Sequence, residues 1–120
     1  MICVPPSTRI FVATEPTDMR KSFEGLGSIA RQILKQDPLS GHLFLFTNRS
    51  RNRLKVLFWD GSGLWVMAKR LEKGTFSWPI AEAKEGCCTL QSEELAALIG
   101  GLDLTVAKQR KWYRRTPTSA

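Results

Sequence analysis

The chain has 120 residues, of which 42% are hydrophobic and 24% are charged, proportions that are typical of one soluble globular domain. No apolar run approaches the roughly 18 residues of a membrane span, and the first residues lack the basic and apolar regions of a signal peptide. We therefore expect a cytoplasmic protein without a membrane partner, with residues 1–107 forming a single domain.

The net charge of +7 is concentrated near the C-terminus. Residues 108–120 contain five cations and no acid, whereas residues 1–107 contain thirteen cations and eleven acids. We expect residues 108–120 to form a mobile basic tail, which either contacts nucleic acid or an acidic protein or serves only solubility. The tail cations, which are candidate nucleic-acid-binding residues, are Lys108, Arg110, Lys111, Arg114 and Arg115.

The first third of the chain predicts a strand, a long helix and a second strand. Arg9–Thr14 is short and rich in β-forming residues, so it is predicted to be the first strand. Apolar residues then recur at spacings of three and four, and Thr17 is a suitable N-cap, which predicts an amphipathic helix over Asp18–Gln36. Leu43–Phe46 is entirely apolar and predicts a buried central strand.

A meander of three antiparallel strands is predicted next. The apolar runs Arg53–Trp59 and Leu64–Leu71 flank Asp60–Gly63. Asp-Gly between such runs indicates a hairpin, because glycine adopts the positive φ that tight turns require. A second turn at 73–74 leads to Thr75–Trp78, which is predicted to be the third strand.

Cations alternate with other residues at the start of this meander. Residues two apart share one face of a strand, so an extended conformation would align four cations on one side, opposite the core-facing Leu54, Val56 and Phe58. These cations either contact phosphates or form a solvated surface. They are Arg49, Arg51, Arg53 and Lys55.

The last predicted elements are a short edge strand and a short helix. Cys87–Leu90 is the strand, and Gln91 or Ser92 caps a helix over Glu93–Ile99 that ends at Gly100-Gly101. The predicted fold is α+β: an antiparallel meander sheet of four to six strands, with one long amphipathic helix packed on it and a short C-terminal helix.

The residues do not predict catalysis. Three cysteines and one histidine provide neither a disulfide framework nor zinc-ligand spacing. Asp18 is predicted to lie at the start of a helix and Asp60 in a turn, and both roles are favoured over metal binding. We expect no catalytic residues, metal, cofactor or small-molecule substrate, and a nuclease is the weakest alternative.

Six segments occur in an order that indicates a family. With them, the chain resembles the small accessory protein, called transposase B or the second open reading frame, of bacterial insertion sequence family sixty-six. The resemblance covers about residues 8–104, and the combination is specific although no single segment is. The segments are Thr17–Leu26, Asp37–Phe46, Asn48-Arg49, Lys55–Leu64, Lys69–Pro79 and Glu94–Asp103.

The resemblance implies a protein needed for movement of the element and encoded beside a separate transposase. That larger protein would carry the catalytic acidic triad, so no catalytic residues are carried over to this chain. Two positions depart from the family pattern. Gln91-Ser92 stands where Thr-Pro is frequent, and Asn52-Arg53 stands where an acid often precedes the lysine, so this stretch is more basic than usual.

Two functions remain open at this point. In the first, the chain is a non-catalytic accessory protein of transposition that contacts DNA, the transposase or both. In the second, it is a protein-interaction module with no direct DNA binding. Trp65 and Met67 share a strand phase with Lys69, and large exposed apolar groups of this kind mark interfaces.

Overall fold

A computed structural model of the chain describes residues 7–79 and 86–100. The strands form one five-stranded sheet in the order β4-β3-β2-β1-β5. The predicted α+β class is confirmed, and the strand at Cys87–Leu90 lies at an edge of the sheet. In chain order the elements are β1 (Ile10–Ala13), α1 (Phe23–Gln32), β2 (Leu43–Thr47), β3 (Arg53–Trp59), β4 (Leu64–Arg70), β5 (Cys87–Leu90) and α2 (Ser92–Ile99).

The sheet is mixed, so the prediction of a purely antiparallel sheet is wrong. β1 and β2 pair in parallel, with Ile10 beside Leu43 and Val12 beside Leu45. All other neighbouring strands are antiparallel. The parallel pair arises because α1 carries the chain back to the end of the sheet where β1 began, so that β2 runs in the same direction as β1.

Helix α1 is shorter than predicted at both ends. Its N-cap is Ser22 rather than Thr17, because Thr17 is buried and donates its backbone N–H to the carbonyl of Thr47. Asp18 accepts hydrogen bonds from Arg20 instead of starting the helix. Beyond Gln32 the chain leaves the helical conformation, and Lys35 adopts a φ of 58°.

Both faces of the sheet are covered. On one face, α1 packs through Leu26 and Ala30 against a cluster that includes Phe44 and Phe46. On the other face, α2 packs through Leu95 and Leu98 onto a second buried cluster. Strand β3 contributes to both faces because its side chains alternate. As predicted, its core-facing phase contains Leu54 and Val56, with Phe58 partly buried beside them.

Residues Thr75–Trp78 do not form the predicted third strand of the meander. Instead, Phe76 and Trp78 bury their side chains against the same face of the sheet as α2. The Trp78 indole N–H donates to the carbonyl of Ala13 at 2.9 Å, across the sheet from β4. Burial of two large aromatic side chains, worth about 1.5–3 kcal/mol each, outweighs pairing with β4.

The C-terminal helix begins at one of the two residues that were predicted as its N-cap. Gln91 is the N-cap, and its side chain and that of Glu94 form a reciprocal capping box. Gly100 is the C-cap. The predicted domain end at residue 107 lies outside the described residues.

The predicted hairpin turn at Asp60–Gly63 is confirmed. The Asp60 N–H donates to the Gly63 carbonyl at 3.1 Å, and Gly61 has a φ of +103°. A residue with a Cβ is strained at this φ, and a β-branched residue most of all.

Replacing Gly61 with valine should therefore lower the free energy of unfolding by about 1–3 kcal/mol, as measured by urea denaturation. Gly63→Val is the matched control, because a Cβ at Gly63 also meets open space and that glycine is not at positive φ. Equal stability of the two variants would contradict the turn conformation.

Candidate nucleic-acid interface

Three loops meet at one end of the sheet. Strands β1, β2 and β4 run in one direction and β3 and β5 in the other, so residues 14–22, 48–52 and 71–79 lie beyond the same end. Two backbone hydrogen bonds connect the loops. The Thr17 N–H donates to the carbonyl of Thr47, at the end of β2, and the Phe76 N–H donates to the Arg51 carbonyl at 2.6 Å. We call these loops, with the adjoining residues of α1, β3 and β4, the basic end.

Positive charge is concentrated at the basic end. It holds nine cations and four acids, whereas the opposite end of the described chain holds three cations and four acids. This separation of charge creates a positive potential that attracts anions to one end of the molecule. The nine cations are Arg20, Lys21, Arg49, Arg51, Arg53, Lys55, Lys69, Arg70 and Lys73. The four acids are Glu15, Asp18, Glu24 and Glu72.

The four alternating cations predicted to share one strand face do not do so. Strand β3 begins only at Arg53, and Arg51 has a φ of 58°. The preceding residues form a turn that is held by Asn48, whose side-chain oxygen accepts hydrogen bonds from the backbone N–H groups of Asn52 and Arg53. Only Arg53 and Lys55 share a face of β3; Arg49 and Arg51 are exposed on the turn at the same end.

A groove lies on the surface of the sheet, over the paired ends of β3 and β4. Arg53 is directly opposite Arg70 in the strand register, and Lys55 is opposite Ala68. The Lys55 Nζ donates to the backbone carbonyl of Lys21 at 2.8 Å. Like charges opposite one another destabilise a strand pair, and an anion bound between them removes that repulsion. The groove has a volume of about 370 Å³ and is lined by Met19, Arg53, Leu54, Lys55, Ala68, Lys69, Arg70 and Glu72.

The groove residues contributed by β4 are absent from the cations predicted to bind nucleic acid. Lys69 and Arg70 follow from the hairpin register, because a turn at Asp60–Gly63 already places Arg70 opposite Arg53. The turn was predicted, so this signal was present in the sequence. Lys69 also has a structural contact: its Nζ donates to the Ile99 carbonyl, at the C-terminal end of α2, at 2.8 Å.

Two acids at the basic end each pair with a neighbouring arginine. Asp18 binds Arg20, with an Oδ2–Nη2 distance of 2.7 Å, and the hydrogen bonds from the Arg20 side chain and backbone hold the pKa of Asp18 well below its usual range. Glu72 lies 3.8 Å from Arg70. Both pairs are exposed, so they are screened by salt. Among the described residues, no other ion pair reduces the charge of the groove.

The two aspartates considered for a metal-dependent nuclease lie at opposite ends of the sheet. Asp18 belongs to the basic end, whereas Asp60 belongs to the hairpin turn at the other end. Within residues 7–79 and 86–100, no three His, Cys, Asp or Glu side chains come together in a way that could hold a metal ion. Cys88 is buried, and burial raises the pKa of the Cys87 thiol.

Trp65 is held in a fixed orientation at the surface of the hairpin. Trp65 is 52% exposed, as predicted, and its ring stacks on Phe58 with a centroid distance of 6.0 Å. Met67, for which exposure was also predicted, is partly buried and packs against the core. The Trp65 indole N–H donates to Asp60 Oδ2 at 2.7 Å. The same carboxylate accepts hydrogen bonds from the Ser62 and Gly63 N–H groups at 2.9 Å, and these bonds, led by the one from Ser62, lower the pKa of Asp60 to about 2.

The remaining predicted cations, Lys108, Arg110, Lys111, Arg114 and Arg115, lie outside the described residues.

In the part of the chain that is described, neither helix has the length and apolar character needed to cross a membrane.

Comparison with known proteins identifies the family. The family described as IS66 Orf2 like protein matches residues 8–109. The chain belongs to this family. It is 38% identical over 108 residues to the uncharacterized protein y4jC of Sinorhizobium fredii, covering 90% of this chain and 91% of that protein. It is 40% identical over 97 residues to the uncharacterized protein y4hO of the same organism, covering 81% and 83%.

Membership of the IS66 Orf2-like family confirms the resemblance to a second open reading frame of this insertion sequence, and it associates the chain with transposition. No solved structure matches the chain.

The lowered pKa of Asp60 predicts a pH dependence of stability. A carboxylate whose pKa is lower in the folded than in the unfolded chain stabilises the fold. For Asp60 this contribution is fully present above the unfolded-state pKa of about 3.9 and is lost as the pH falls through about 2. The free energy of unfolding of the native chain should therefore exceed that of an Asp60→Asn variant near neutral pH, and the difference should shrink between about pH 4 and pH 2. Urea denaturation followed by tryptophan fluorescence measures both proteins. A difference that is constant with pH would contradict this role of the carboxylate.

Proposed function

We propose that this protein is a non-catalytic accessory subunit of insertion-sequence transposition, and that its basic end contacts DNA phosphates in a complex with the transposase of the same element. The observation that carries the proposal is the placement of Arg53 directly opposite Arg70 in an exposed groove. This arrangement is unfavourable in the isolated protein and becomes favourable when an anion lies between the two side chains.

The chemistry of the basic end suits phosphates better than base edges. Its cations come from three loops and two strand ends, so they surround a site rather than project along one helix or ribbon. Arginine and lysine contacts to phosphates fix a protein on DNA without reading its sequence. We therefore expect weak sequence preference from this surface alone, with the transposase supplying the choice of DNA ends.

The absence of catalysis remains part of the proposal. The separation of Asp18 from Asp60, and the engagement of each carboxylate by local hydrogen bonds, favour structural roles for both. The tail cations, from Lys108 to Arg115, would add contacts that do not depend on sequence.

The alternative is an interaction module that binds the transposase and does not touch DNA. The exposed, fixed ring of Trp65 favours a protein contact on the hairpin. That contact lies at the other end of β4 from Arg70, so the two functions can be separated by substitution.

Replacing both Arg53 and Arg70 with glutamine should weaken binding to duplex DNA. Each phosphate contact contributes about −0.9 to the slope of log K against log salt, so the slope should become about 2 units less steep. The same variant should be as stable as the native chain or more stable by up to about 1 kcal/mol, since the repulsion across the strands is removed. Fluorescence anisotropy at several salt concentrations, together with urea denaturation, measures both effects.

The matched control is Arg9→Gln with Arg31→Gln, because both of these arginines are exposed and lie at the opposite end of the sheet. Equal loss of affinity in the two double variants would show that only net charge matters and would contradict a defined site. No binding of the native chain to any DNA at micromolar concentration and low salt would leave the interaction module as the function.

Removal of residues 108–120 tests the tail separately. The truncated chain should bind all DNA sequences more weakly, with a shallower salt dependence, because five cations are lost. Competition between terminal-repeat and scrambled DNA should give the same ratio before and after truncation. A changed ratio would indicate that the tail reads sequence.

A further inference from the structure

Strand β4 is an edge of the sheet with an open side. It pairs with β3 on one side, and no described residue pairs with the other. The segment that follows it packs Phe76 and Trp78 over the face of the sheet instead of extending the sheet by another strand. An edge of this kind presents backbone N–H and C=O groups to which another chain can pair.

The hydrogen-bond pattern of the hairpin identifies these groups. Asp60 bonds to Gly63, and the Leu71 N–H donates to the Asn52 carbonyl at 2.8 Å, so the two ends of the β3–β4 ladder are known. Hydrogen-bonded pairs alternate along an antiparallel ladder. In the observed register, the residues that bond to β3 are therefore Trp65, Met67 and Lys69. The residues whose backbone groups point to the open side are Leu64, Val66, Ala68 and Arg70.

The side chains along β4 change from apolar to basic. Its first five residues, Leu64–Ala68, are apolar, and Trp65 among them is exposed and fixed. Its last two residues, Lys69 and Arg70, are basic and exposed, and Arg53 lies beside them. A strand added to this edge would meet an apolar surface along most of its length and three cations at one end.

We propose that the open edge of β4 binds an extended segment of a partner protein as an additional strand, and that this segment is apolar at one end and acidic at the other. Val66 and Ala68 provide the backbone hydrogen bonds, and Trp65 and Met67 provide the apolar contacts. Carboxylates of the partner lie beside Arg70, so the partner segment and DNA compete for this side chain. This charge pattern favours a partner segment over a second copy of the chain, because β4 itself contains no acid.

The probe is a capped peptide of the length of β4 in which two glutamates precede an alternating valine–threonine segment. An antiparallel added strand of this order places the glutamates beside Arg70. Nuclear magnetic resonance of the labelled full chain should show the amide protons of Val66 and Ala68 becoming protected from exchange when the peptide is added. The amides of Trp65 and Met67, which already bond to β3, should be protected throughout. A control peptide with lysines for the glutamates should bind at least about tenfold more weakly.

Two variants test the edge itself. Val66→Pro removes an N–H that points to the open side and leaves the bonds to β3 in place, so it should reduce peptide affinity about tenfold or more. Trp65→Ser removes an exposed side chain and should also weaken binding, which keeps the test valid if the proline variant fails to fold. Duplex DNA binding should be retained in both variants, so failure of one proposal is distinguishable from failure of the other.

Three results would overturn the proposal. The first is no new protection of Val66 and Ala68 at peptide concentrations of about 1 mM. The second is peptide binding that is unchanged in both edge variants, which would place the peptide in the basic groove. The third is a dimeric free protein in which both amides are already protected, which would make a second copy the occupant of the edge.

Discussion

Burial of the two central strands on both faces is the constraint on which the rest of the structure depends. Every residue of β1 and β2 is buried, so each face of the sheet must be covered by another part of the chain. One face is covered by α1, which also makes the two strands parallel. The other face requires both α2 and the aromatic pair Phe76 and Trp78. The segment after β4 is consequently used for burial, and β4 remains an edge.

Much of this fold follows from local sequence patterns. The hairpin, the buried central strand, the last helix and its cap are encoded within a few residues, by Asp-Gly, by an unbroken apolar run and by Gln91 with Glu94. The errors concern competition between distant residues. Thr17 has the chemistry of an N-cap, but Thr47 takes its N–H. Thr75–Trp78 has the composition of a strand, but two aromatic side chains reach the core only if the segment leaves the edge.

In the candidate site, too, some features follow from local sequence and others depend on contacts between distant residues. The alternating cations were found in the sequence, but a strand face was the wrong arrangement, because Asn48 closes a turn before β3 begins. Their neighbours from β4 follow from the hairpin register alone. Arg20 and Lys21 lie at the basic end because β1 and β2 are parallel, an arrangement that was not predicted from the sequence. Nearby acids in the sequence, Asp18 and Glu72, belong to local pairs rather than to a metal site.

The hairpin turn has a consequence for which changes in chain length the protein can tolerate. Side chains alternate between the faces of β4, so a deletion of one residue within the strand would reverse the orientation of every residue beyond it. The groove would then lose Arg70 from its place opposite Arg53, and Lys69 would lose its contact with the end of α2. An insertion in the turn itself that slips the register by one residue would likewise turn every side chain of β4 to the other face. Length variation in relatives should therefore fall in loops such as 33–42 rather than within β3, β4 or the residues that join them.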